Sequence, residues 1–230
     1  MLNALLSIFR SEDPLREIGS KFAEMLKLTC EMALTAGEGF FEKTISQEER
    51  GEIYKKDLKV NQLERKIRKM AVAHLSIARN SPHLPYYLLL ISLVKDVERL
   101  GDYAKNLNEV LDIYDGDLPD DEIVAELRQI RTNVEETFQA SSQVFEKSDN
   151  ERALELIHQG KNVARRADAL VTRIAQSDYP SALATALALT TRYYKRFGGH
   201  LLNVLTSVVM PLHKVDYYDE DEIPKEEAHE

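Results

Sequence analysis

Helical periodicity runs almost without interruption from Pro14 to about Pro211, and the few breaks in it divide the chain into six long segments. The first runs from about Pro14, with Asp13 as its N-cap, to about Lys43. The second runs from about Gln47 to Arg79, behind a capping box in which Ser46 precedes Glu49 by three residues. Asn80, Ser81, Pro82 and Pro85 precede a third that reaches about Tyr114. The cluster Asp115, Gly116, Asp117 and Pro119 is the clearest boundary. A fourth follows from about Asp120 to Lys147, and a fifth, after the turn at Ser148 to Asn150, runs to about Gln176. The sixth begins after Asp178, with Pro180 in its first turn, and ends at Pro211. Long helices on short connections run antiparallel to their neighbours, so the expected fold is all-α, a bundle of six long antiparallel helices. With 9 Gly and 7 Pro in 230 residues, the turns that a β-sandwich of this length requires are missing.

Three helices lie before Asp115 and three after it, and a shift of 97 residues superposes parts of the third and sixth. Leu90, Arg99, Gly101 and Asn106 fall on the identical Leu187, Arg196, Gly198 and Asn203, and Leu100 falls on Phe197. Identities at a fixed offset point to duplication. The expected organisation is two tandem three-helix bundles, residues 14–115 and 119–212, flanked by an N-terminal segment 1–13 and an acidic tail 213–230. In the third helix Tyr87, Leu90, Val94, Val97, Gly101 and Ala104 repeat at core spacing, with Gly101 and Ala104 allowing close helix approach.

Charge narrows the function classes. Of the net charge of -9, most falls in the last fifteen residues, where eight acids face only Lys225. The rest is nearly neutral and carries no basic patch able to track a phosphate backbone, so no nucleic-acid partner is expected. The tail reads as solvating sequence without fixed structure, or as an interaction tail. The single cysteine, Cys30, excludes an internal disulfide and a cysteine-rich zinc knuckle, and reads as a small buried hydrophobe. The apolar start MLNALLSIF is followed at once by Arg10, Glu12 and Asp13; it reads as neither signal peptide nor span, and packing on the bundle is expected of it. A ferritin-like metalloenzyme needs two helical Glu-x-x-His elements, and only Glu155 to His158 lies in a predicted helix. No Gly-x-Ser-x-Gly elbow and no glycine-rich phosphate cradle occurs, so no catalytic residue is assigned.

The segment Lys95 to Glu109 carries the best candidate chemistry. Glu98 and Asp102 stand four apart, one above the other on a helical face, and could together hold a hard cation. With Lys95, Lys105 and Glu109 they would equally make a salt-bridged solvated stripe. Asp57, Asn61 and Glu64 on the second helix have the spacing to face the third and complete an oxygen-rich site. The alternative is that Asp57 and Glu64 pair with Lys59, Arg65 or Lys66.

Asp96, Glu98, Arg99, Leu100, Gly101, Asp102 and Asn106 resemble the signature helix of the PhoU family of bacterial phosphate-uptake regulators, over about residues 14–212. The resemblance implies two three-helix bundles and a cytoplasmic, non-enzymatic regulator, peripheral at the inner membrane only through partners, with a homo-oligomer as one option. The implied partners are a phosphate transporter, of ABC type or a sodium-phosphate cotransporter, and a phosphate-sensing histidine kinase. It also implies iron or zinc, or another divalent cation, on the carboxylates of the motif, here Glu98 and Asp102. In the second repeat Lys195 stands in place of Glu98, Gly199 in place of Asp102 and His200 in place of Tyr103, so a metal is expected at the first repeat only. Lys195 is expected to pair with Asp168 or another acid of the fifth helix. A helical scaffold or adaptor unrelated to phosphate is the competing reading.

Overall fold

The computed structural model describes residues 14–77 and 83–210. Six long helices account for nearly all of them: α1 (Pro14–Glu42), α2 (Gln47–Ile77), α3 (Leu84–Glu109), α4 (Glu122–Lys147), α5 (Asn150–Ala175) and α6 (Ser181–Val209). The Asp13 cap, the turn at Asn80 to Pro82, the stop at Pro211, the apolar N-terminal segment and the acidic tail lie outside the described residues.

Local chemistry sets the helix ends. At α2 the capping box forms reciprocally: the Ser46 backbone N–H donates to Glu49 Oε2 at 2.7 Å, and the Glu49 N–H donates to Ser46 Oγ at 3.2 Å. Asp121 caps α4, accepting from the N–H groups of Ile123 and Val124 at 2.9 and 3.0 Å, and also accepts a hydrogen bond from the hydroxyl of Tyr179 in the loop before α6. At the end of α4, Ser148 turns left-handed with φ 51°, so its N–H reaches Phe145 O and the Asp149 N–H reaches Val144 O. Pro180 stands just before α6 rather than inside it, and α3 ends five residues before Tyr114, its last turn tightening into a 3-10 turn over Val110–Asp112.

α1, α2 and α3 pack on one another, as do α4, α5 and α6, and the two units meet along α1–α4 and α3–α6. Both junctions are antiparallel. Phe22 near the start of α1 meets Phe145 at the end of α4 with ring centroids 4.7 Å apart, while Glu42 at the end of α1 reaches Arg131. Asp96 of α3 meets Asn203 of α6, and further along α3 Tyr103 meets Tyr193. The six predicted α3 core positions are all buried. The apolar interior is one continuous cluster running through both units, with Phe22, Phe40, Tyr194 and Phe197 among its largest fully buried side chains. A fully buried aromatic contributes more than its area, because edge-to-face contacts such as Tyr194–Phe197 at 5.7 Å add about 0.5 to 1.5 kcal/mol each.

Candidate functional site

α2 and α3 run antiparallel and bring Asp57, Asn61 and Glu64 opposite Glu98, Asp102 and Lys105, as their spacing predicts. The Lys105 ammonium lies 2.9 Å from Asp57 Oδ2 and 3.0 Å from Asp102 Oδ1, bridging the two helices. Asn61 Nδ2 donates to the same Asp57 oxygen at 3.3 Å. Arg99 holds the far side of Asp102 at 3.2 Å and approaches Glu98 at 3.7 Å, and Arg68 holds Glu64 at 2.8 Å. Asp57 and Glu64 are therefore paired, but with Lys105 and Arg68 rather than with Lys59, Arg65 or Lys66; Lys59 reaches Glu24 instead. Among the described residues no three His, Cys, Asp or Glu side chains converge as metal ligands. At Gly101 an added Cβ would stand 3.5 Å from Thr29 and 3.6 Å from Asp57, ordinary contact distances, so the approach there is less tight than the glycine suggests.

The electrostatics are uneven. Burial pushes the Glu98 carboxyl above the usual carboxylate range, and the nearby Asp102 and Glu64 push it further. Burial would lower Lys105, but its hydrogen bonds to Asp57 and Asp102 outweigh that and hold the ammonium above its ordinary value. A carboxylate with a raised folded pKa binds its proton more tightly in the folded chain, so its contribution to stability falls as pH rises through that pKa. Glu98→Gln is accordingly expected to raise the melting temperature at pH 7 by about 2 to 4 °C, the shift of roughly 1 kcal/mol in a domain of this size. The gain should vanish on acidification, once Glu98 is itself neutral. An unchanged or lowered melting temperature at pH 7 would count against the crowding of Glu98.

The second unit shows what the same position becomes without carboxylates. Lys195 Nζ lies 2.5 Å from Asp168 Oδ2, the pairing expected for it, and Arg192 joins at 3.1 Å. Where Lys105 lies on Asp57 in the first unit, Leu202, 97 residues on, lies over Gly160 of α5. A Cβ at Gly160 would stand 2.7 Å from Leu202 Cδ2, so the glycine makes room for the leucine. The bridge of charges in one unit is an apolar contact in the other.

The α1–α3 unit with its acidic motif matches the family model described as the PhoU domain, over residues 22–111. The fold is also similar to that of solved PhoU structures. The phosphate transport system regulatory protein PhoU from Streptococcus pneumoniae superposes with a TM-score of 0.73 at 18% identity, over 84% of this chain and 92% of that one. PhoU from Pseudomonas aeruginosa superposes with a TM-score of 0.68 at 21% identity, over 93% of this chain and 99% of that one. No curated protein matches the sequence significantly.

Two polar clusters where the first unit meets the second escape sequence reasoning. Along α3–α6, the buried Asp96 accepts from Asn203 Nδ2 at 2.8 Å and lies 2.7 Å from His200 Nδ1. Tyr103 and His200, equivalent positions of the repeat, stack on each other with centroids 5.6 Å apart. The Tyr103–Tyr193 contact has its image in the His200–Asp96 contact at the same shift, so a pseudo-twofold axis relating the two units passes between these rings. Along α1–α4, Arg131, Glu135, Glu42 and Tyr194 form a second network. Asp96 and Asn203 both belong to the repeated element, which was the available signal; nothing in the pattern of α4 singles out Arg131. Cys30 is half-buried against the core, and burial pushes its thiol up to about 12, which suits a small hydrophobe and not a reactive thiolate. A cleft by the 3-10 turn is lined by Lys43, Arg50, Asp112 and Asp115, whose charges cancel, so it selects neither anions nor cations.

Proposed function

We propose that this chain is a regulator of phosphate transport and phosphate signalling that acts by protein–protein contacts and not by catalysis. The observation that carries the reading is the PhoU-domain match over residues 22–111, which includes the Glu98 to Asn106 motif. The partners it calls for are a phosphate transporter, of ABC type or a sodium-phosphate cotransporter, and a phosphate-sensing histidine kinase, met at the cytoplasmic side of the membrane. Among the described residues no helix is long and apolar enough to cross a membrane, in keeping with attachment through such partners. Deletion of the gene is the test: phosphate uptake is expected to continue at its starved rate after transfer to phosphate-rich medium, and to be shut down again when the full chain is restored. Uptake that shuts down normally without the protein would overturn the reading.

On the same reading the first-unit carboxylates would be the donor set for a divalent cation such as iron or zinc, although as they stand they do not converge on one point. Glu98, Asp102, Glu64 and Asp57 would supply oxygen ligands, and a cation there would relieve the crowding of Glu98 by burial, Asp102 and Glu64. Lys105 competes with a cation for Asp57 and Asp102. A bound cation would tie α2 to α3, a structural and not a chemical service. Elemental analysis of protein purified without chelators, compared with the Glu98→Ala, Asp102→Ala double variant, is the check, and equal metal content in the two removes the site.

A further inference from the structure

The outward face of α2 differs from that of its counterpart in the second unit, α5. From Ile53 to Ser76 its exposed charged residues are Lys55, Lys59, Arg65, Lys66, Arg68 and Lys69, all cations, while its two acids in that span, Asp57 and Glu64, are buried or half-buried toward α3. Tyr54, Leu58, Arg65, Lys69 and Val72 share one helical stripe, being spaced by four, seven, four and three residues. Its apolar members are well exposed, Leu58 at 61% and Val72 at 58%, and Leu84 and Leu88 extend the apolar surface onto the start of α3. The corresponding outer helix of the second unit, α5, exposes acids and bases together, including Glu151, Arg152, Glu155, Arg165 and Asp168, and a single large hydrophobic, Leu154.

The chain itself contains a segment of the complementary composition. Residues 216–230 carry eight acids against Lys225, together with Tyr217, Tyr218 and Ile223. They continue from α6, which ends at Val209. Because α3 and α6 are antiparallel, with Asp96 on Asn203, the end of α6 lies beside the first turns of α3, where Leu84 and Leu88 are exposed. α2 ends at the same pole, with His74 stacked on Tyr87 at 5.9 Å. The stripe from Val72 back to Tyr54 is about 27 Å long at 1.5 Å per residue. Twenty residues can extend over about 66 Å, ample to cross α3 and follow that stripe.

We propose that the acidic C-terminal segment, residues 216–230, docks along the outward stripe of α2 in its own chain, its carboxylates on Arg65, Lys69 and their neighbours and its tyrosines on Leu58 and Val72. Each exposed ion pair is weak, so the contact depends on several together and is sensitive to salt.

The chain has no tryptophan, so Tyr218→Trp in the full-length protein provides a single reporter. At low ionic strength its quenching by acrylamide is expected to be about threefold weaker than in a peptide of residues 211–230 carrying the same substitution, and to rise to the peptide value in about 1 M salt, where the screening length is only about 3 Å. Arg65→Glu with Lys69→Glu should release the reporter at low salt without altering the melting temperature, since both side chains are exposed. Leu58→Ser with Val72→Ser should release it partly. Quenching equal to the peptide's in the full chain would overturn the proposal. Shielding that grows with protein concentration would assign the contact to a second copy and overturn it too, and shielding that survives the charge reversal would place the segment elsewhere.

Discussion

Arg131→Ala should lower the free energy of unfolding by about 3 to 5 kcal/mol, the cost of leaving a buried ion pair with one charge. Arg131 Nε is 2.9 Å from Glu135 Oε1, its Nη1 is 2.6 and 2.9 Å from the two oxygens of Glu42, and its guanidinium stacks on Phe41 at 4.8 Å. Its side chain is 13% exposed and that of Glu135 15%, so solvent screens the pair little. Tyr194, fully buried, donates to the same Glu135 oxygen at 2.9 Å. Gly37 of α1 leaves the room: a Cβ there would stand 2.5 Å from Tyr194 Oη and 2.6 Å from Glu135 Oε1. The network joins α1, α4 and α6, so its loss loosens the junction between the units.

The loss should depend on pH in a definite sense. Burial already pushes the Glu135 carboxyl above the carboxylate range, with Arg131 and Tyr194 opposing it. Without Arg131 the folded pKa rises further, the folded chain then holds a proton that the unfolded chain has released, and stability falls as pH rises through that pKa. Urea unfolding at about pH 5 and pH 8 should therefore show the larger deficit at the higher pH, where the unfolded carboxylate, with its pKa of about 4.3, is fully ionised. Glu135→Gln in the Arg131→Ala background should recover part of the loss. A deficit that is the same at both pH values would mean that packing on Phe41, and not charge, is what Arg131 contributes.

Lys105→Met should cost about 2 to 3 kcal/mol in metal-free buffer and turn the first unit into a divalent-cation site that depends on no native metal content. The ammonium is 22% exposed and Asp57 only 10%, so its removal leaves Asp57 with the single Asn61 hydrogen bond and Asp102 with Arg99 alone. Manganese or zinc at a hundred times its dissociation constant would restore about 2.7 kcal/mol by mass action. Thermal unfolding with and without the ion should accordingly separate the variant from the native chain, which starts with Lys105 in place. If the variant gains neither metal nor stability, the four carboxylates are not a cation site in any state, and Lys105 is simply a helix-to-helix clamp.

Much of the architecture was legible because it is encoded locally. The capping box at Ser46 and Glu49, the left-handed break at Ser148 and the Pro180 start of α6 are each decided within a few residues, and the structure places the helix ends within a few residues of where these signals put them. The core positions of α3 follow from their spacing, since a stripe at that period has only one apolar face to bury. The candidate site was legible in part. Its acids do face one another across α2 and α3, but Lys105, grouped by sequence with a solvated stripe, lies between Asp57 and Asp102. The Asp96–His200 contact was out of reach, because its partners are 104 residues apart and the apolar pattern of α3 does not say which helix will cover it.

Residue spacing alone was enough for six helices, their grouping in threes around a repeated element, and the change of that element from Glu98 and Asp102 to Lys195 and Gly199. These depend on residue spacing along one helix, where geometry is the same in every protein. Which side chains meet came from helix packing: Lys105 with two carboxylates in one unit, Leu202 over Gly160 in the other, and the Tyr103–His200 stack on the axis between them. Those contacts depend on the rotation and register of one helix against the next, and a one-residue change in register turns a side chain by about 100°.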